Sequence, residues 1–158
     1  MLEDIVAELA KYKRLGEATL ARVSDETLNR VPSADANSIA MIVRHLNGNL
    51  RSRFTDFLTT DGEKPWRDRE SEFRETQYSR QQVEALWTEG WQKIEAALAE
   101  LSDADLQRIV SIRNEEMTVD RALTRALAHI AYHVGQIVVL GRIEIGERWE
   151  SLSMPRQK

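Results

Sequence analysis

The sequence predicts an all-α protein, a four-helix bundle with a long crossover between its second and third helices. Four long segments carry apolar residues at the i, i+3 and i+4 spacing of amphipathic helices. No segment shows the alternation of apolar and polar residues that is typical of a half-buried strand. The two halves of the chain are joined by the charged residues 59–78, which contain Gly62 and Pro65 and exceed the length of a tight turn.

The first two helices are predicted at the N-terminus and after residue 37. The apolar face of the first comprises Leu2, Ile5, Val6, Leu9 and Tyr12. The second helix opens near Asn37 or Ser38, and its face comprises Ile39, Ile42, Val43, Leu46, Leu50, Phe54 and Phe57. Each face is wide enough to be buried against neighbouring helices.

The third and fourth helices have clearer start signals. Ser79 with Gln82 three residues later is the pattern of a capping box, and Thr118 is a favourable N-cap for the fourth helix. We expect the fourth helix to end at about Ile145, because Gly146 follows it. The buried faces are Val83, Leu86, Trp87, Ile94, Leu98 and Leu101 in the third helix and Val119, Ala122, Leu123, Ala126, Ile130, Val134, Ile137 and Val138 in the fourth.

A short repeat indicates that the chain is built from two helical hairpins. The strings VSDETLNRVPS and LSDADLQRIVS follow the first and third helices and share an S-D-x-x-L-x-R core, with Ser24 and Ser102 in corresponding positions. Coincidence is the alternative, because Ser-Asp begins many short helical turns. Two similar hairpins joined by the crossover would give the bundle architecture. After the last helix, Trp149, Leu152 and Met154 are expected to dock on the bundle or on a second subunit.

Length and composition indicate one soluble, cytoplasmic domain that spans residues 1–158. With 22 basic and 26 acidic residues, the net charge is −4, which opposes binding to nucleic acid. The chain has no cysteine, which excludes a disulfide framework, a zinc–thiolate site and a cysteine nucleophile. The N-terminus lacks the pattern of a secretion signal, and we expect no apolar run of membrane-spanning length.

All three histidines lie beside the predicted buried faces. His129 and His133 are about 40° apart around the fourth helix, with Gln136 continuing the stripe. His45 occupies a similar shoulder of the second helix, with Asn49 one turn later. If the second and fourth helices run parallel, as an alternating up-down order would make them, their histidines lie at similar heights, about 12 and 16 Å from the helix starts. The three imidazoles are then expected to converge.

A cluster of three histidines indicates a site for a divalent metal. Neutral imidazoles leave the ion a strong Lewis acid, and three protein ligands leave positions for water or substrate. Nitrogen donors admit zinc, nickel, iron or cobalt. Asn49 and Gln136 are candidates to support a ligating ring or to orient a substrate. The alternative is that the histidines are partly buried, hydrogen-bonded side chains without a ligand, and that the two amides are polar residues at helix boundaries.

The strings HIAYHVGQI and NSIAMIVRHLNGNL together resemble the DinB-like (YfiT-like) metalloenzyme superfamily, in particular an uncharacterised bacterial subgroup of it. TTDGEKPWRDRESEF in the crossover and WESLSMPR near the end extend the likeness over nearly the whole chain. The resemblance implies a four-helix bundle of unusual handedness, frequent homodimers, and a divalent metal held by one histidine of the second helix and two of the fourth. By position these ligands are His45, His129 and His133. Better-understood relatives include transferases that join thiols such as bacillithiol to electrophiles, and a mycothiol-dependent isomerase.

Three functions are open at this point. The one we predict is a metal-dependent transferase acting on a low-molecular-weight thiol and an electrophile, with the thiol arriving as a small-molecule substrate because the chain has no cysteine. A metal-dependent hydrolase is the second, but it needs a general base, and no glutamate lies in the helical turn beside the histidines. The third is a non-catalytic dimeric binding or stress module with a structural metal.

Overall fold

The computed structural model describes residues 1–153, so Met154 lies outside the described residues. Within that range the chain is mostly helical, as predicted, and it forms five α-helices and one two-stranded sheet. Short 3-10 turns lie between them and after the last helix, and one of these turns, Glu70–Phe73, interrupts the crossover. The elements are α1 Leu2–Leu20, α2 Asp25–Asn29, α3 Ile39–Phe54, α4 Arg80–Ala99, β1 Ile109–Ile112, β2 Glu115–Thr118 and α5 Val119–Ile145.

The predicted helix starts are confirmed by the capping hydrogen bonds. Ser38 and Thr118 each accept a hydrogen bond from a backbone N–H in the first turn of α3 and α5. Ser79 and Gln82 form the reciprocal capping box at the start of α4. Helix α5 ends at Ile145 as expected. These local signals are reliable because a capping side chain satisfies backbone donors that the helix itself leaves unpaired.

The strings of the short repeat both form helical turns, but the hairpin pairing inferred from them is wrong. Ser24 caps α2, and Ser102 with Asp105 begins the 3-10 turn Asp103–Gln107. The principal helix contacts join α3 with α4 and α1 with α5 rather than successive long helices within each half. The physical reason is the length of the crossover, which allows α4 to return along α3.

The all-α prediction is wrong between α4 and α5, where the chain forms a β-hairpin. Strands β1 and β2 pair antiparallel, with Ile109 opposite Thr118 and Ile112 opposite Glu115. Arg113 and Asn114 form the turn, and both have positive φ, at 58° and 60°. Such a two-residue turn matches the right-handed twist of the strands. The hairpin packs onto the core through buried Val110, Ile112 and Met117.

Asp61 in the crossover holds this hairpin turn in place through hydrogen bonds. Its carboxylate accepts hydrogen bonds from the backbone N–H groups of Arg113 and Asn114, at 2.9 and 2.8 Å. The Ser111 hydroxyl donates to the same carboxylate and, with these amides, holds the pKa of Asp61 well below its usual range. The crossover and the hairpin, which lie far apart in sequence, are therefore joined in one structural unit.

Helix α5 is the most apolar helix of the chain. By length and composition alone, the segment Val119–Arg148 is apolar enough to cross a membrane, which differs from the expectation that no such run exists. This is weak evidence, because the core helix of a soluble protein has the same composition. Here the apolar side chains Leu123, Ile130 and Ile137 are fully buried within the protein.

Candidate metal centre

The three histidines lie together between α3 and α5. His45 is buried in the middle of α3, His133 is buried on α5, and His129 is half-buried one turn earlier. One nitrogen atom from each ring lies within 4.8 Å of the other two. The ring centroids are 5.2 Å apart for His45 and His129, 4.8 Å for His45 and His133, and 4.6 Å for His129 and His133. The side chains singled out in the sequence therefore converge.

Hydrogen bonds hold two of the three rings from behind. The Nδ1 atom of His45 donates to Oε2 of Glu72 at 2.8 Å, and Nδ1 of His133 donates to Oε1 of Gln136 at 3.0 Å. In each ring the proton is then on Nδ1, so Nε2 carries a free lone pair. This is the arrangement in which a histidine binds a metal ion, with its other nitrogen fixed by a carboxylate or an amide.

The contact between His45 and His129 tests whether these residues fit a metal. Their Nε2 atoms are 3.1 Å apart. Nε2 of His45 carries a lone pair, so two states of the facing Nε2 of His129 are compatible with this distance. Either Nε2 of His129 is protonated and donates a hydrogen bond to His45, or it also carries a lone pair and both atoms bind the same cation. The Nδ1 atom of His129 is buried and has no hydrogen-bond partner within residues 1–153. The Nε2 atoms of His45 and His133 have free lone pairs, and the three convergent histidines offer only imidazole nitrogens as ligands. Such a set of ligands fits a divalent transition metal.

The pKa values of His129 and His133 are both lowered, which favours uncharged rings. Burial, together with the neighbouring imidazoles, lowers the pKa of His129 to about 3. Burial also lowers the pKa of His133 to about 4, again with a contribution from His45. Both rings are neutral at pH 7, so a metal would not have to displace a proton from either of them.

Glu72 is the functional residue that sequence reasoning missed. It lies in the 3-10 turn Glu70–Phe73 of the crossover, and its side chain is only 2% exposed. Arg67, equally buried, donates Nε to Oε1 at 2.8 Å and Nη2 to Oε2 at 3.0 Å. Burial raises the pKa of Glu72, but the hydrogen bonds from His45 and Arg67 outweigh it and hold the pKa below its usual range. The carboxylate is therefore ionised.

A glycine of α3 makes room for this carboxylate. A Cβ atom at Gly48 would overlap Oε1 of Glu72. Arg67 is held in turn by a hydrogen bond from Nη1 to the hydroxyl of Ser52, one turn further along α3, at 3.2 Å. The crossover thus packs directly against the helix that carries His45. The charges of the crossover conceal this, because nothing in the string DRESEFRE marks which of its glutamates turns inward.

The two amides predicted to assist the site have different positions. Gln136 contacts His133 directly, as described above. Asn49 lines the same cavity as the three histidines, and no described contact joins it to an imidazole. Gln136 is therefore placed to orient a ring, whereas Asn49 lines the cavity.

A cavity of about 470 Å³ opens beside the imidazoles. Phe54, Phe57, Phe73 and Tyr132 give it an apolar wall, and Phe73 lies against His45 with ring centroids 4.8 Å apart. The volume is within the range of sites for small molecules. A ligand in this cavity would therefore be in contact with the histidine cluster.

The chain matches one protein family and is similar in fold to a solved structure. Residues 1–158 match the family described as a protein of unknown function (DUF1572). Among solved structures, the chain is similar to the crystal structure of a DinB-like protein from Bacillus cereus ATCC 10987, with a TM-score of 0.68 and 17% sequence identity, covering 90% of this chain and 91% of that chain. No curated protein has significant sequence similarity to the chain.

Proposed function

We propose that this chain, which belongs to the DinB-like family DUF1572, is a metal-dependent transferase that joins a low-molecular-weight thiol to an electrophile. The ion would be a divalent transition metal such as zinc, nickel or iron, held by His45, His129 and His133. One observation carries the proposal: three imidazoles converge beside a cavity large enough for a small substrate. The architecture that we infer around them is a four-helix bundle of α1, α3, α4 and α5, which the pairing of α3 with α4 and of α1 with α5 supports.

The protein's own residues would prepare the site before substrate arrives. Glu72 keeps the proton of His45 on Nδ1, and Gln136 does the same for His133, so that both Nε2 lone pairs are available. A divalent ion bound there supplies Lewis acidity, which keeps a thiol deprotonated near neutral pH. The aromatic wall of the cavity offers an apolar surface against which an electrophile is positioned.

The transfer itself follows from the chemistry of thiols. The sulfur forms a bond to a carbon of the electrophile, the leaving group departs with its electron pair, and the thiol proton passes to solvent. Because the chain has no cysteine, both reacting groups come from substrates. The protein contributes position and electrostatics, which is the usual division of work in such transfers.

Glu72 bears on the hydrolase alternative. Sequence analysis expected no glutamate beside the histidines in their helical turns, and Glu72 reaches His45 from the crossover instead. Both of its oxygens accept hydrogen bonds, its pKa is lowered, and its side chain is only 2% exposed, so it is a weak base that is shielded from a substrate water. This engagement favours the transferase over the hydrolase.

Metal content is the first test of the proposal. Protein purified without a histidine tag should contain about one divalent ion per chain by elemental analysis, because three protein ligands define one site. His129→Ala should lose that ion, while a control exchange at an exposed position of the same helix, Arg121→Gln, should retain it. Retention of metal by His129→Ala would reject the site.

Activity is the second test. Metal-loaded protein should accelerate the reaction of small thiols with monochlorobimane, followed by the fluorescence of the thioether and the release of chloride. His45→Ala should remove the acceleration without removing the fold. If the loaded protein consumes no common cellular thiol and His45→Ala changes nothing, the metal has a structural role, and the non-catalytic module becomes the better description.

The proposal includes a homodimer in the cytoplasm. Tyr132, Val139 and Ile143 are exposed apolar residues that share one face of α5 at i, i+7 and i+11. An exposed apolar stripe of this kind marks an interaction surface, and the same stripe on a second copy is self-complementary about a two-fold axis. Light scattering of the purified protein measures the assembly directly.

A further inference from the structure

The cavity beside the histidines has a strong bias in charge. Five arginines line it, and no aspartate or glutamate among residues 1–153 does so. The whole chain has a net charge of −4, so the bias is local and opposite to that of the protein. A cleft lined by one sign of charge concentrates field lines and raises the local concentration of ions of the opposite sign.

Arg67 and Arg53 have internal roles. Arg67 is buried and directs three donors to Glu72 and Ser52. Arg53, whose side chain is 11% exposed, donates to the carbonyl of Gly62 and to the carboxylate of Glu63. These two guanidiniums hold the crossover in place and contribute charge rather than free donors.

Three other arginines are about half exposed and form what we call the arginine rim: Arg69, Arg113 and Arg125. Arg113 lies at the hairpin turn that Asp61 fastens, and its Nε donates to Glu63 at 2.6 Å. Glu63 is the same carboxylate that Arg53 uses. Two guanidiniums thus share the carboxylate of Glu63, so Arg113 keeps N–H groups that this hydrogen bond does not use.

A second pair of arginines shares one carboxylate where β2 meets α5. Glu115 lies between Arg121 and Arg125, at 3.6 and 3.8 Å, and Arg125 lines the cavity whereas Arg121 does not. Distances of this size leave most donors of both guanidiniums available. Arg125 therefore presents unused N–H groups to the cavity.

Arg69 connects the rim to the histidines. Its guanidinium stacks over the ring of Phe73 at 5.1 Å, and the same ring contacts His45, with centroids 4.8 Å apart. One aromatic ring therefore separates a rim guanidinium from the histidine cluster. A molecule of modest size that fills the cavity would touch both.

We infer that the cavity binds small molecules that carry an oxyanion group, a carboxylate or a phosphate, and that the arginine rim holds this group while the rest of the molecule extends to the histidines. Guanidinium forks match the geometry of both oxyanions and form charge-assisted hydrogen bonds with them. The assignment of a substrate class rests on the proposed transferase function, whereas anion binding to the rim does not.

The test compares two arginines that share a carboxylate. Succinate, inorganic phosphate and the neutral analogue succinamide are titrated by calorimetry into metal-free protein and into zinc-loaded protein. Arg125→Gln should weaken binding of the favoured oxyanion by about five- to tenfold, the loss expected for one charge-assisted hydrogen bond at a half-exposed site. Arg121→Gln removes the same charge from the same helix, outside the cavity, and should leave the affinity within about twofold of wild type. Preference for succinate or for phosphate supports the inference and identifies the oxyanion.

Three results would overturn it. Succinamide could bind as tightly as succinate, both variants could lose equal affinity, or neither oxyanion could bind at millimolar concentration. Failure of the proposed function is detected by a different measurement, the binding of zinc itself. Zinc that binds stoichiometrically without an Arg125-dependent anion site refutes only the rim, whereas an Arg125-dependent anion site in a protein that binds no zinc refutes only the metal centre.

Discussion

Replacing Glu72 with glutamine tests how much the metal centre depends on a residue from outside the helices. The carboxylate accepts from His45 through Oε2 and from Arg67 through both oxygens. An amide has one accepting oxygen, so Glu72→Gln sets an N–H group against either Nδ1–H of His45 or an N–H of Arg67. It also leaves the buried guanidinium of Arg67 without its counter-charge.

The magnitude follows from burial, since both side chains of this ion pair are only 2% exposed. Removing one partner of a buried pair costs about 3 to 5 kcal/mol. We take about 3 kcal/mol, because the amide oxygen of glutamine keeps one or two of the three hydrogen bonds, and for a chain of this size that lowers the melting temperature by about 6 to 12 °C. Loss of the group that orients a ligating histidine lowers metal affinity by about 10- to 100-fold.

Urea unfolding and metal competition with a chromophoric chelator measure the two effects separately. Glu70→Gln is the matched control, because Glu70 lies in the same turn, is 83% exposed and forms a surface pair with Arg69 at 3.5 Å. It should change neither stability nor affinity. If Glu72→Gln remains folded and binds metal as tightly as wild type, then the ring of His45 does not need its carboxylate partner, and the account of the site is wrong.

Three further predictions follow from single features of the structure. Burial lowers the pKa of His129 to about 3 from its usual 6.5, so below pH 6.5 the unfolded chain binds a proton that the folded chain does not. The urea midpoint of the metal-free protein should therefore fall as the pH is lowered from 6.5 toward 4. His129→Gln should make the midpoint less dependent on pH. Gly48→Ala should destabilise the protein and weaken metal binding, because its Cβ overlaps Glu72, whereas Gly135→Ala, with nothing within 4 Å, should stabilise α5 by about 0.5 to 1 kcal/mol in the same urea assay. If the proposed dimer forms through α5, Ile143→Glu should give a monomer in light scattering; a wild-type protein that is monomeric at all concentrations contradicts the proposal.

The long helices were predictable because their signals are local. Ser38, Ser79 and Thr118 cap the helices that they were expected to cap, and Gly146 follows the last turn of α5 as expected. A cap depends on a few consecutive residues, so periodicity and residue type suffice to identify it. The resemblance to DinB-like proteins is likewise confirmed by the fold comparison.

The β-hairpin was not predictable in the same way. Each of its strands has four residues, too few to show alternation clearly. Its turn is Arg113-Asn114 rather than the Asn-Gly or Asp-Gly pair that marks a two-residue hairpin. The positive φ angles are supported instead by hydrogen bonds to Asp61, which is distant in sequence. Tertiary contacts, not propensity, determine this element.

The residues of the candidate site also differ in whether local sequence patterns could predict them. His45, His129 and His133 could be grouped from helical spacing, because each shares a shoulder of a buried helical face. Glu72 and the arginine rim could not be grouped in this way, because their residues come from the crossover, from the hairpin turn and from α5, and no periodicity relates them. Charged residues in a connection usually face solvent, and only the packing against Gly48 distinguishes the one carboxylate that turns inward.

The two irregular segments therefore have a common role that their sequences do not indicate. Helix α3 packs chiefly on α4, and α5 chiefly on α1, so the histidines of the two helices belong to different packing pairs. The crossover packs on α3, where Glu72 orients His45, and through Asp61 it also holds the hairpin that carries Arg113 and contacts α5. A ligand bound between the pairs would make contact with all of these parts at once. Its binding energy would add to the stability of the arrangement, because the unfolded chain offers no such cluster.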